Sequence, residues 1–189
     1  MKKVIFILIL ILNISCKEKK AELKEDNFRL IDQSYKITGD KYFDYDEIIH
    51  YQNNFDEEKI GELYDNKEKT EIDKLKFGVL LENIPNSIKE TEFINELENI
   101  GYKKKSIRKS DFDHINNIFT EKKHAEPMYA ACVYVYRDIL IFKKKSKIIG
   151  IAKICFGCGA NRIFGTKSNT EEFGQGGDYG KLEIILNKK

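Results

Sequence analysis

Apolar residues recur along this chain with two different periods, and the change falls near residue 128. Upstream the spacing is mainly helical. Asp56-Glu57-Glu58 opens a segment in which Ile60, Leu63 and Tyr64 share one face, with the acids in the first turn where they complement the helix dipole. Thr70 followed by Asp73 has the form of a capping box, after which Ile72, Leu75, Val79 and Leu80 recur at helical spacing toward Pro85. Ser87 with Glu90 forms a second box ahead of Ile88, Phe93, Ile94, Leu97 and Ile100, and Gly101 stands where a left-handed cap belongs. Ser110 with Asp113 predicts another helix, carrying Phe112, Ile115, Ile118 and Phe119 on one side. The single strand expected in this half is Glu47 to Gln52, rich in aromatic and β-branched residues. Phe28 to Asp40 is irregular, with a turn at Thr38-Gly39-Asp40.

From Met128 to Phe164 the period shortens to that of an antiparallel β-meander of three to four strands. Cys132 to Val135 is read as the first strand, Ile139 to Phe142 as the second, and Lys143 to Lys147 as the turn after it. Ile148 to Cys155 gives the third strand and Ala160 to Phe164 the fourth. Ile139 and Ile141 oppose Leu140 and Phe142, so both faces are apolar and the central strands must be covered on both sides. A polar, glycine-containing loop runs from Gly165 to Gly177, and Asp178 is expected to cap a final helix with Leu182, Ile185 and Leu186 inward. The loop's Gly174-Gln175-Gly176-Gly177 lacks Walker spacing, and Asp178 puts a carboxylate where a phosphate would sit. The fold class that follows is a single α+β domain over residues 28–189: helices in the first half, the meander at about 128–164, and a C-terminal helix.

The N-terminus adds a different kind of segment. Met1-Lys2-Lys3, an apolar run from Val4 to Leu12, and Asn13-Ile14-Ser15-Cys16 make a short basic region, an apolar core too short to span a bilayer, and a small residue before a cysteine. This resembles the bacterial lipoprotein signal; Ser15 and Cys16 match it, while Asn13 replaces the usual aliphatic at minus three. The resemblance implies a signal peptide over residues 1–15, diacylglycerol on Cys16, and a place in the cell envelope, on the outer membrane, held by that lipid. Residues 16–27 are then a charged tether, nearly all Lys, Glu and Asp.

Charge narrows the partners. The chain has 33 Lys and Arg against 31 Asp and Glu, and losing Lys2 and Lys3 with the leader brings the mature chain to zero net charge. Nucleic acid is therefore not an expected partner. The basic runs Lys103 to Lys105 and Lys143 to Lys145 read as a solvated loop and a hairpin turn.

Three thiols besides Cys16 sit in a compartment that permits disulfides: Cys132, Cys155 and Cys158. One bridge and one leftover thiol are expected, with three pairings open. Cys155-Phe156-Gly157-Cys158 has redox-motif spacing, but Gly159 to Arg162 leads into a strand and not into the helix that makes such a motif reactive. The same cysteines with His124 would make a Cys3His zinc set, although the matching second knuckle is missing. His50, inside a strand without a neighbouring ligand, reads as a partly buried or edge histidine, and His114 as surface. No nucleophile elbow, zincin motif or Ser-His-Asp arrangement is visible, so no catalytic residue and no cofactor are expected.

Ile115 to Phe119, Cys132, Tyr136-Arg137-Asp138 and Ile154 to Cys158 together resemble a pattern of small lipoproteins common in Bacteroidota. That resemblance supports localisation and fold and brings no activity with it. The function expected is a membrane-anchored, non-enzymatic binding or interaction module with a protein partner as a candidate; the alternative is a thiol/disulfide or zinc-binding envelope protein using Cys132, Cys155 and Cys158.

Overall fold

The computed structural model describes residues 35–124 and 131–188. The expected signal peptide, Cys16 and the charged tether lie outside these residues, as do Phe28 to Ser34 and the start of the expected meander at Met128.

A five-stranded antiparallel sheet organises the chain, in the order β3 (Lys103–Ser106), β2 (Glu47–Gln52), β5 (Asp138–Lys144), β6 (Lys147–Cys155), β7 (Ala160–Phe164). As the two-sided hydrophobicity of the central strands requires, helices cover both faces. Ile48, Leu140, Phe142, Ala152 and Ile154 point to one side, where they meet Ile115 and Ile118 of α3 (Phe112–Ile118), Leu182 and Ile185 of α4 (Asp178–Leu186), and the aromatic group Tyr42, Phe43, Phe119 and Phe173. Ile49, Tyr51, Ile139, Ile141 and Ile151 point to the other. There they meet Ile60 and Leu63 of α1 (Glu57–Asp65), Val79 and Leu80 of α2 (Glu71–Leu81), and Phe93, Leu97 and Ile100. A separate two-stranded ribbon pairs β1 (Tyr35–Lys41) with β4 (Thr120–His124).

The α+β class, the antiparallel meander and the closing helix agree with the sequence reading. So does the reciprocal box of Thr70 with Asp73, whereas Asp56, expected among the first-turn acids, is the cap of α1 and accepts from the Lys59 N–H at 2.9 Å.

Other elements differ for reasons that local pattern does not carry. Cys132 to Val135 forms no strand, because β2 occupies the place beside β5 with a six-residue register from Glu47↔Lys143 to Gln52↔Asp138. The displaced segment instead crosses the end of α2, where the Tyr136 N–H donates to the Leu80 carbonyl at 2.8 Å. The helix expected after Ser87 shrinks to a 3-10 turn at Glu92–Glu96, with Glu90 accepting from the Asn86 N–H at 2.9 Å. Lys103 to Lys105 is an edge strand and not a loop, its lysines guarding the edge against further pairing. The turn expected at Thr38-Gly39-Asp40 is a register shift inside the ribbon, between Ile37↔Lys122 and Lys41↔Thr120. Helices are not confined to the first half, since α3 lies past the midpoint of the chain between β3 and β4, and the first half contributes β2 to the sheet. At the β5–β6 hairpin, Lys145 and Ser146 both have positive φ, 47° and 64°, as a two-residue turn of the twist-matching hand demands.

Candidate functional site

The cysteine corner lies at the ends of β6 and β7. Cys132 and Cys158 are joined as a disulfide, their Cα atoms 6.2 Å apart. Cys155 is a buried free thiol whose Sγ accepts from the Val135 N–H at 3.4 Å. Residues Phe156 to Gly159 form a turn into β7, so no helix dipole acts on the Cys-Phe-Gly-Cys. With two of the three sulfurs bonded to each other, they are not available as thiolate ligands, and among the described residues no group of three His, Cys, Asp or Glu is placed to hold a metal. His124 instead ends β4, opposite Tyr35, the two ring centroids 5.7 Å apart. Neither of its ring nitrogens has a hydrogen-bond partner among the described residues, and burial holds its pKa below the ordinary histidine value, against the pull of Asp178 and Glu172.

Two buried polar groups are brought into play by long-range pairing. His50 is 1% exposed on a central strand, not at an edge. Its Nε2 lies 2.7 Å from Asp138 Oδ1 and donates to it, while Gln52 Nε2 donates to the same oxygen at 3.2 Å. Asp138 → Ala removes the acceptor for both and is expected to cost about 1–3 kcal/mol of stability. The same change at Asp44, whose exposed carboxylate pairs with Lys144, is expected to leave the urea midpoint within error. Equal midpoints for the two variants would show that the buried pair contributes nothing special.

Lys153 is fully buried on β6 and donates from Nζ to the Glu82 carbonyl at 3.0 Å and the Ile84 carbonyl at 2.8 Å. It thereby ties down the chain leaving α2, with Nζ 4.4 Å from the centroid of the Tyr136 ring. Desolvation, helped by the charge of Arg162, lowers its pKa to about 7. An amine this enclosed and committed to two carbonyls acts as a staple between strand and helix end; it is not a reagent facing a cleft.

A concave feature of the surface lies elsewhere. A groove of about 460 Å³ runs between the β1–β4 ribbon, α3 and α4, a size within the range of ligand pockets. Tyr35 and Ile37 line it from the ribbon, at 47% and 60% exposure, and Ile184 lines it from α4 at 57%. Its floor holds an enclosed ion pair, Lys122 with Asp178, which Lys181 joins at 3.3 Å. Asp178 thus begins α4 as a buried partner of Lys122; the cap position belongs to Gly177, whose φ of 83° suits glycine. Lys188, at the groove's other end, bonds to Asp111 at 2.8 Å, and Arg108 reaches the same carboxyl at 3.2 Å.

No family model, curated protein or solved structure matches this chain.

Roles for its residues therefore rest on geometry. Of the residues singled out in the sequence, the structure brings Cys132 and Cys158 together, leaves Cys155 buried beside them, and sets His124 on the ribbon. The groove was not legible in sequence, because its walls come from segments as far apart in the chain as Tyr35 and Lys188. One trace of it was present: Lys181, Ile184 and Lys188 recur at helical spacing, so the C-terminal segment carries a second stripe besides its inward Leu182, Ile185 and Leu186.

Proposed function

We propose that this protein is a lipid-anchored, non-enzymatic interaction module of the cell envelope. In this reading Cys16 carries the lipid, residues 16–27 act as a flexible tether to the outer membrane, and the folded domain presents the groove between the β1–β4 ribbon and α4 to a protein partner. The observation that carries the binding role is the groove itself, where three of the large exposed apolar side chains, Tyr35, Ile37 and Ile184, converge beside lysines. The anchor rests on the Ser15-Cys16 junction behind the Val4 to Leu12 run. A bridge between Cys132 and Cys158 accords with an oxidising compartment. The likeness to small Bacteroidota-type lipoproteins belongs to the same proposal.

Cys16 → Ser is the direct test. The parent chain should sediment with membranes at the mass of a cleaved, acylated product, and the variant should retain its leader or appear unacylated. A variant that fractionates and migrates as the parent does would end the anchoring reading.

The thiol reading keeps one specific observation in its favour: Cys132 is exposed, and a free thiol lies three residues before its partner Cys158. A bridge that opens at the glutathione potential of an oxidising compartment would support exchange chemistry over a structural role.

A further inference from the structure

Four strands of the described fold have an edge without a partner strand, and they are treated differently; β4 offers Thr120, Glu121, Lys122, Lys123 and His124, none of them aliphatic. On β3 the exposed residues are Lys103, Lys104, Lys105 and Ser106, a guarded edge. On β7 every residue is half-buried. On β1, which among the described residues pairs only with β4, all seven residues are exposed, and Tyr35 and Ile37 stand on the side that lines the groove. An exposed strand with apolar side chains and one open edge is a template for strand addition.

The groove beside it is complementary to a particular chemistry. Lys181 on α4 and Lys188, two residues beyond the helix end at Leu186, both line the groove, with the exposed Ile184 between them in sequence. Four cations at this end of the molecule, Lys122, Lys181, Lys188 and Arg108, share two carboxylates, Asp178 and Asp111. The local excess is positive although the mature chain as a whole is balanced. Alternate residues of an added strand face the same side, so two acids separated by three residues would lie about 13 Å apart, one offered to each lysine, with an apolar residue between them for Ile184.

We propose that β1 accepts an extended acidic segment of a partner protein as an added strand, with alternate acidic and apolar side chains seated between Lys181 and Lys188. This rests on the reading of the protein as an interaction module and names the chemistry of its partner. Backbone bonds to β1 supply affinity, and Ile184 with its flanking lysines supplies selection for acid, apolar, acid at every second position.

A fluorescently labelled peptide centred on Glu-Thr-Ile-Thr-Glu, titrated with the full chain in detergent at 50 mM salt, tests this by anisotropy. Saturable binding is expected. It should weaken at least tenfold in Lys181 → Gln and in Ile184 → Ser, and equally when both peptide glutamates become glutamine. Methylating alternate backbone nitrogens of the peptide should abolish binding on one of the two alternations, while Tyr64 → Ser, on α1 in the other layer, should change nothing. Absence of binding overturns the proposal, as does equal affinity for the glutamine peptide or for both methylated forms. Preference for phosphatidylglycerol vesicles, lost in Lys181 → Gln, would assign the groove to a lipid surface, and preference for a peptide copying residues 24–34 would assign it to the chain itself; either result overturns it. Membrane fractionation of Cys16 → Ser is read separately, so a silent peptide with a released variant removes this partner and leaves the anchored module standing.

Discussion

Raising the pH from 7 to about 9.5 is expected to stabilise the folded domain by on the order of 3 kcal/mol, and Lys153 → Met is expected to remove most of that gain. The Lys153 ammonium titrates at about 7 in the folded chain, where burial opposes its charge, and at its ordinary 10.5 when unfolded. Between those values the unfolded chain binds more protons, so stability climbs with pH, by up to about 1.4 kcal/mol per unit. Below pH 7 the amine is protonated in both states, and the cost of burying its charge is fully present. The climb ends near pH 10. Burial raises the phenol pKa values of Tyr42, Tyr45 and Tyr102 far above their usual 10, and that of Tyr179 to about 12. Above 10 the unfolded chain therefore loses tyrosine protons that the folded chain keeps, and stability falls.

In Lys153 → Met the Glu82 and Ile84 carbonyls lose their donor, at a cost of about 1–3 kcal/mol each if they stay dry. The variant should thus be clearly weaker than the parent at pH 9.5, with the gap narrowing toward pH 6, where the parent must bury a cation. Urea midpoints at pH 6, 8 and 9.5 for both chains decide this. A parent curve that is flat over that range, or a variant with the parent's slope, would show that Lys153 is not the group responsible.

Which parts of the fold were readable in sequence follows from the range of the forces involved. First-turn acids and side-chain caps act within one turn, so Asp56-Glu57-Glu58 and the Thr70–Asp73 box announce α1 and α2 correctly. Apolar alternation acts along one strand, so β6 and β7 fall within one residue of their expected limits, while β5 extends a residue earlier and two later than Ile139 to Phe142. Strand neighbours, in contrast, are chosen across the chain. Nothing local to Lys103-Lys104-Lys105 marks a strand; it becomes one because β2 has an edge to fill. Cys132-Val133-Tyr134-Val135 has the composition of a strand and is excluded because β2 already lies against β5.

The same holds for the sites. His50 and Asp138 are 88 residues apart and meet only because β2 and β5 are neighbours. Asp178 looks like a cap in isolation, yet its carboxylate is taken by Lys122, 56 residues away. The cysteines were readable as a group because β6, the turn and β7 are contiguous. Their pairing was not, since Cys132 arrives by a path that is not a strand.

That path makes the disulfide the second large determinant of stability. Cys132 → Ala with Cys158 → Ala is expected to cost about 3.5 kcal/mol, the chain entropy released when a loop closed over a sequence separation of 26 is opened in the unfolded state. Most of the strand interactions inside that loop, the β5–β6 hairpin included, persist in the folded variant. The loss should therefore appear as a lower urea midpoint with a smaller change in the pairing of the sheet. The corner itself is held in part by other contacts, the Tyr136 N–H on Leu80 and the Val135 N–H on the Cys155 sulfur. Thiol counting fixes the connectivity independently of stability. In a chain carrying Cys16 → Ser, three cysteines remain, and iodoacetamide should label none in the native state, Cys155 alone in denaturant, and all three after reduction. Peptide mapping that finds Cys155 in the bridge, or a double variant as stable as the parent, would overturn the assignment of Cys132 and Cys158 as a structural clamp. Rapid native labelling of Cys155 would instead show that the corner opens, and would turn attention from the groove to thiol exchange.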